Sequence, residues 1–508
     1  MHIGAKLAQL ALAHPNRTAI VDDIGTWSFW QFHARITRFG NALRGIGLRK
    51  GDRVALLIPD IREYLEADYG AMAAGFVRVP MDPRLKRREL VDLLRHAGAR
   101  ALVTHASFAE TVDGLTSDVE SLEHVIGIGA GAGVSYEALL EKASEQPLPE
   151  CAGDDLATLN FSGGTTGAPK AVMLRHRNLL TVAQSTIAGF EIDSAAVFLN
   201  VRPLWPIAQV IVMSHLFAGA AVVLGGRFDP EALGARIARS GVTRTSLVPT
   251  QLVRWLDHLP PDDPRLARLQ AIYVGGSRIW PQVFERAFAA FGPRIGTLYG
   301  MTEAPVTSYL PPRSLEVDAE RRNRLMESVG RALPGYELRL AVTDREQSPE
   351  TPGEVLVCGG HVMAGYWRNE PATRAALRDG WLHTGDIGRL DDAGNLYIVG
   401  RLNDVIRSGS SSIMPKDVED AIASHPAVSE VAVLGLPDME WGEAVTAFVV
   451  LKPDMQASEH DLVEHCRKQL AGYKKPRSVR FVASLPRSHY GKVMRAQLIK
   501  EAAGVTPA

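Results

Sequence analysis

The sequence predicts an α/β protein. It reads as a large N-terminal domain of α/β subdomains with parallel-rich sheets plus a β-rich portion, followed by a small C-terminal α+β domain. Three observations carry that prediction. Short β-rich runs alternate with longer helical patterns through most of the chain, as in parallel sheet packed between helices. From Gly353 the texture changes to alternating strands with turns between them, GEVLVCG and NLYIVGR, as in smaller and more antiparallel sheet. After Arg401 the pattern restarts over about a hundred residues, the size of one domain. At 508 residues the chain exceeds what one core organises, so it divides into 1–400 and 401–508.

Taken in order, Ile3, Leu7, Leu10 and Leu12 space an amphipathic helix ending near His14-Pro15, a reading preferred to a signal peptide. Arg53 to Ile58 (RVALLI) is a buried strand and Ile61 to Ala74 the helix behind it. Ala101 to Thr104, Ala220 to Leu224, Thr245 to Val248 and Ala271 to Val274 are further strands with helices between. The most apolar run, Val210 to Leu224, is interrupted by Ser214 and His215. It falls short of the ~20 residues a membrane span needs and reads as a buried helix passing into a strand. In the small domain the order is helix (Lys416 to Ser424), strand (Val428 to Gly435), strand (Ala444 to Leu451), helix (Glu459 to Leu470) and strand (Val479 to Val482).

Hydrophobic content of 46% and charged content of 22% are ordinary for a globular protein, and a net charge of −1 gives no bias toward nucleic acid or anionic membrane. The basic clusters Arg84 to Arg88, Arg321 to Arg324 and Lys474 to Arg477 read as solvated faces. Cys151, Cys358 and Cys466 form no zinc or CxxC spacing and suit a reducing compartment. The expectation is a cytoplasmic protein without a transmembrane segment or a nucleic-acid partner, working as a monomer or homodimer.

Chemistry concentrates first in Phe161 to Lys170, FSGGTTGAPK. Free amides and hydroxyls with a lysine make a phosphate cradle. The stretch does not satisfy GxxxxGK[ST], because Ala168-Pro169 separates Gly167 from Lys170. Ala157, Leu159 and Phe161 alternate as a strand before it, and Ala171 to Leu174 is β-capable after it. The loop therefore joins two extended segments and must hold phosphate without a helix dipole.

This stretch resembles the signature of the AMP-forming adenylating enzymes, the superfamily of acyl- and aryl-CoA synthetases, peptide-synthetase adenylation domains and luciferases. The other signatures appear in the family's order: YGMTE at Tyr299 to Glu303, WLHTGDIG at Trp381 to Gly388, GRLNDVI at Gly400 to Ile406 and PRSHYGK at Pro486 to Lys492. GRALPGYE at Gly330 to Glu337 and MAGYW at Met363 to Trp367 add to them. The resemblance covers essentially the whole chain and implies that the small C-terminal domain is mobile.

It implies the substrates ATP, with Mg²⁺, and CoA. Adenylation brings two anions together, so the site needs positive charge and preorganised donors. By resemblance Ser162, Gly163, Gly164, Thr165, Thr166 and Gly167 grip the triphosphate, and Lys170 supports the loop. Glu303 matches the magnesium ligand and Thr302 the hydroxyl at the α-phosphate. Tyr299 matches the ring against adenine, with Gly300 beside it and Gly275, Gly276 and Ser277 bordering the base. Asp386 resembles the ribose-binding aspartate and Arg401 the arginine near the hinge. Lys492 matches the adenylation lysine, whose long stem suits a group delivered by a moving domain.

Departures from the family pattern bear on the substrates. The hinge position, commonly Lys or Asp, is Asn403. CoA-using members usually read IKxGGxNI where this chain reads IRSGSSSI. Gly409 is kept, but Ser410 replaces the second glycine and Ser412 the Asn, which puts bulk where pantetheine passes. Pro206 stands where a histidine is common near the acyl pocket, and Val274 alters the SGG(A/S) start. The expected acid wall is Trp205, Pro206, Ile207, Gln209, Val274 and Met301, which suits a small or aromatic acid.

Three readings fit these residues. The first is an AMP-forming ligase that adenylates such an acid and passes it to CoA. The second is a CoA-independent adenylating enzyme that hands the activated acid, or an oxyanion such as nitrite, to an amine or a separate carrier protein, as diazotases of natural-product pathways do. The third, a non-catalytic nucleotide-binding relative, sits poorly with the retained Glu303 and Lys492.

Overall fold

The computed structural model describes residues 1–131, 133–162, 170–205, 209–260, 262–341, 351–409, 411–487 and 493–502. By internal contacts it divides into two units. The first takes most of the chain to Glu337 together with Val357–Leu382, and the second takes Leu338–Leu356 and His383 onward. The contact division thus falls within Trp381–Leu390. Its partner strand Leu396–Arg401 groups with the C-terminal residues.

Twelve strands position the site in the first unit: β1 (Arg53–Leu57), β2 (Val77–Pro80), β3 (Ala99–His105), β4 (Leu156–Ser162), β5 (Lys170–Arg175), β6 (Val197–Asn200), β7 (Ala221–Leu224), β8 (Arg244–Leu247), β9 (Ala271–Gly275), β10 (Ile295–Met301), β11 (Ala304–Leu310) and β12 (Gly365–Tyr366). One sheet runs β12-β5-β4-β2-β1-β3 and continues through two short strands. Its β4-β2-β1-β3 part is parallel, and β5 is antiparallel to both β4 and β12. The other runs β11-β10-β9-β8-β6-β7 at its centre, parallel from β10 to β7. Apolar runs such as RVALL and AIYVG suit strands covered on both faces.

Each sheet has a point where strand order reverses. The chain passes from β1 to β2 on one side and then to β3 on the other, and likewise from β6 to β7 and then to β8. In open α/β sheets ligands bind beyond the carboxyl ends of strands at such a reversal. The residues just after β1 and β6 are therefore placed for function by topology alone.

Two helices of this unit bear on the site and its stability, α1 (Arg62–Ala73) and α2 (Gln209–Phe217). The segment Val210 to Leu224 is a buried helix passing into a strand, α2 followed by β7, as its composition predicts. Among the described residues no helix is long and apolar enough to cross a membrane. Every residue of α1 is buried except Glu63, and the buried set includes Glu66 and Asp68. Glu66 accepts from Arg62 Nε at 2.8 Å, Arg35 Nε at 2.7 Å and the Tyr136 hydroxyl at 3.1 Å. Asp68 pairs with Arg78 of β2 at 2.5 Å. The N-terminal helix spans Ile3–Ala13, but Leu12 does not belong to its buried face: it is 73% exposed, while Ala11 is 1% exposed. Positions three and four after Leu7 share its side of a helix, and the fifth does not.

In the second unit Asp386–Leu390 pairs antiparallel with Leu396–Arg401. A separate sheet runs Ser411–Ile413, Ile406–Ser408, Gly442–Leu451 and Val428–Asp438, with Ser478–Phe481 parallel on Gly442–Leu451. Ala432, Leu434, Phe448, Leu485 and Leu498 form a core there.

Candidate active site

Several expected site residues lie outside the described residues: Gly163, Gly164, Thr165, Thr166 and Gly167 of the glycine-rich stretch, Pro206 and Ile207 of the acid wall, Ser410, and Lys492. The side chains of Ser162, Asn403 and Ser412 do so too. The flanks of the stretch are the two strands foreseen, β4 and β5, in antiparallel register with Ser162 opposite Lys170.

The YGMTE motif forms a hairpin. β10 ends at Met301, β11 starts at Ala304, and Thr302 and Glu303 make the turn. Register shifts between Tyr299 and Met301, and a Cβ at Gly300 would lie 2.5 Å from the Val306 nitrogen, so only glycine fits there. Val306 itself has φ of 48°, strained backbone for a β-branched residue. The surrounding pairing over-determines this turn and fixes where Glu303 sits.

Glu303 is 7% exposed. Its Oε1 accepts from the Tyr366 hydroxyl at 3.0 Å, and its carbonyl accepts from the Met363 N–H at 2.8 Å. Among the described residues no cationic side chain pairs with the Glu303 carboxylate. A buried carboxylate held by one neutral donor is costly unless a cation joins it. The site therefore fits a hard divalent ion bound through a carboxylate and phosphate oxygens, the magnesium arrangement.

Tyr366 ties this turn to the glycine-rich stretch. It lies on β12, opposite Val172 of β5, and its N–H donates to Thr373 Oγ1 at 2.9 Å. The Lys170 ammonium stands 5.0 Å from its ring centroid, within cation–π reach. Burial first, and the Glu303 charge second, raise the Tyr366 phenol well above its ordinary value, so it serves as a proton donor in the hydrogen bond. Sequence reading placed MAGYW in the family pattern without giving Tyr366 a role.

The acid wall gathers at the reversal between β6 and β8. Arg202, two residues past β6, donates through Nη1 to Ser246 Oγ of β8 at 3.0 Å. Trp205 is buried with the Arg84 guanidinium 5.7 Å from its ring centroid, and Val274 is buried at the end of β9. Met301 is half-buried, as are Tyr299 and Ser277, and Gly276 comes directly after Gly275 at the end of β9. Gln209 is 0% exposed, and neither its Nε2 nor its Oε1 has a hydrogen-bond partner among the described residues. An orphaned amide of this kind costs about 1–3 kcal/mol.

Asp60 was not foreseen. It lies just past β1 at the reversal of the other sheet, and its Oδ1 accepts from the Leu204 N–H, past β6, at 2.8 Å. One carboxylate thus ties together the carboxyl ends of both sheets. Burial, against that hydrogen bond, lifts its pKa to about 6. Because the folded value lies above the unfolded one, the folded state holds the proton more tightly. The resulting stability is complete below the unfolded pKa and is lost as pH rises through about 6. Relative to Asp60→Asn, the native protein is expected to lose on the order of 2 kcal/mol of unfolding free energy between about pH 4 and pH 7. Urea titrations at both pH values check this, and parallel pH slopes in the two proteins would refute it.

In the second unit Asp386 is buried, and its Oδ1 accepts from Arg401 Nε at 2.9 Å across the paired strands. Its own N–H donates to Thr384 Oγ1 at 3.1 Å. Gly409 has φ of 61° and donates its N–H to the Trp441 carbonyl at 2.7 Å, so this position has a conformational reason to remain glycine.

Comparison with known proteins identifies the family of the chain. The family model for the AMP-binding enzyme matches residues 7–367, and that for the AMP-binding enzyme C-terminal domain matches residues 417–492. A long-chain-fatty-acid–CoA ligase of Escherichia coli O157:H7 is 32% identical over 535 residues, covering 98% of this chain and 94% of the relative. A feruloyl-CoA synthase of Amycolatopsis sp is 32% identical over 503 residues, covering 98% of each. The crystal structure of ATP-bound MatB from Rhodopseudomonas palustris superposes with a TM-score of 0.89 at 29% identity, covering 99% of both chains. The ordered motifs, the two-domain α/β fold and the match along most of the chain agree, and the protein belongs to the AMP-binding enzymes, the AMP-forming adenylating superfamily.

Proposed function

We propose that the protein is an ATP-dependent, AMP-forming ligase that adenylates a small or aromatic carboxylic acid and passes the acyl group to CoA. The observation that carries the reading is Glu303: a buried carboxylate without a cationic partner among the described residues, joined through Tyr366 to the strand that leaves the glycine-rich stretch. CoA ligases among the relatives at about 30% identity support the acceptor.

In the first half-reaction a carboxylate oxygen of the acid attacks the α-phosphorus of ATP. The bond to the oxygen bridging the α- and β-phosphates breaks, and pyrophosphate leaves. Mg²⁺, when bound, neutralises charge on the phosphates, and Glu303 is the residue that would hold it. Ser162 to Gly167 would clasp the outer phosphates and Thr302 the α-phosphate. Tyr299, with Gly275, Gly276 and Ser277, would border adenine, while Asp386, oriented by Arg401, would accept from the ribose hydroxyls. Lys492 would bridge the incoming carboxylate and the α-phosphate, delivered by a C-terminal domain that we take to hinge at Asn403, just beyond the 1–400 and 401–508 division. In the second half-reaction the CoA thiol loses its proton to water, its sulfur attacks the acyl carbon, and the bond from that carbon to the phosphate oxygen breaks as AMP departs.

Gln209, with both amide atoms lacking a partner among the described residues, supports an acid that carries a hydroxyl or amide beyond its carboxylate, a group able to donate and accept at once. The test is pyrophosphate release across small aliphatic and aromatic acids plus nitrite, with and without CoA, with products identified by mass. A thioester supports the reading. Adenylate that accumulates despite CoA favours the amine or carrier acceptor motivated by Ser410, Ser412 and Pro206. Absence of release with every acid tried, or release that survives Lys492→Ala unchanged, sinks both.

A further inference from the structure

We infer that Tyr366 is the positioning residue of the metal site: its hydroxyl sets the orientation of the Glu303 carboxylate and links it to the strand that leaves the phosphate loop. This rests on the reading of Glu303 as the magnesium ligand.

The Tyr366 phenol engages Oε1 of Glu303, and among the described residues Oε2 has no hydrogen-bond partner. One oxygen is therefore pinned by a neutral donor while the other stays available. A neutral donor suits this position: a lysine or arginine there would already have neutralised the carboxylate and would compete with a divalent ion. Tyr366 is itself fixed. It is 8% exposed, its backbone is paired with β5, and its N–H is held by Thr373. Its ring meets the Lys170 ammonium, and Lys170 is the first residue of β5. Displacement at the end of the glycine-rich stretch is thus transmitted through one rigid ring to the metal carboxylate. A tyrosine kept only for packing would use its ring alone and leave the hydroxyl without consequence.

Tyr366→Phe separates these roles, because it keeps the ring, the packing and the contact with Lys170 and removes only the hydroxyl. The probe is Mn²⁺, titrated by electron paramagnetic resonance into protein saturated with ATP, with ATP affinity in chelator and thermal midpoint measured in parallel. Tyr366→Phe is expected to weaken Mn²⁺ binding about tenfold, as loss of a partner that orients a metal ligand does. Its metal-free ATP affinity should stay at the native value, while its midpoint falls by no more than the loss of one hydrogen bond to a buried carboxylate accounts for. Mn²⁺ binding unchanged in Tyr366→Phe but lost in Glu303→Gln overturns the role of Tyr366 alone. Binding unchanged in both variants overturns the metal reading and this inference with it.

Discussion

Glu303→Gln is expected to lower kcat/KM for magnesium-ATP by about 10²–10³-fold, the usual loss when one preorganised charge contact to a transition state is removed. The fold should not suffer. Gln matches Glu in volume and offers a carbonyl oxygen to the Tyr366 hydroxyl, which now donates at 3.0 Å to the carboxylate. Burying a neutral amide in place of a carboxylate that has no cationic partner among the described residues relieves a desolvation cost. The variant should therefore melt at or above the native temperature while its pyrophosphate release collapses. Activity within about threefold of native would remove Glu303 from the metal site, since transition-state charge stabilisation is worth far more than that. A falling melting temperature would show instead that the carboxylate has a structural partner.

Much of this arrangement was legible in the sequence, and the reasons differ by residue. Elements with strong periodicity or flanking turns were read to within a few residues. The helix expected behind RVALLI is Arg62–Ala73, the strand expected at Ala271 to Val274 is Ala271–Gly275, and the helix expected at Glu459 to Leu470 is Glu459–Gln469. Leu12 misled because the short N-terminal helix is apolar on more than one side, so hydrophobicity alone does not select the buried face. The hairpin at YGMTE grows out of the motif, but the donor to Glu303 does not. Tyr366 lies far along the chain and reaches Glu303 only because β12 pairs with β5, a pairing that neither segment encodes locally. Asp60 was invisible for the same reason. Alone it reads as a turn residue after a strand, and its importance comes from the Leu204 N–H on the other sheet. Gln209 was placed on the acid wall by resemblance, but the lack of a partner for its amide among the described residues is a property of the packed state.

The second large effect lies beside β4, the strand that leads into the glycine-rich stretch. Arg78→Met is expected to cost about 3–5 kcal/mol of unfolding free energy, because it strands Asp68 as a buried charge without its cation. Asp68 lies on the buried helix α1, and burial lifts its pKa to about 6 even with Arg78 beside it. Among the described residues neither Asp68 oxygen takes an aligned hydrogen bond, so the attraction to Arg78 at 2.5 Å is the pair's main compensation. Pairs of this kind are often matched or exceeded in stability by well-packed apolar replacements. The double variant Asp68→Leu with Arg78→Met should therefore recover most of the loss seen in Arg78→Met alone, which urea unfolding of the three proteins checks. Equal losses in the single and double variants would mean that Arg78 acts mainly through other contacts. One such contact is present: Arg78 Nη1 donates to Asn160 Oδ1 at 3.2 Å, and Asn160 lies on β4 two residues before Ser162. If the double variant regains stability but binds ATP poorly, the pair has been retained to hold the strand entering the phosphate loop. If it regains both, the charges are dispensable, and β4 is held by its pairing with β2 and β5.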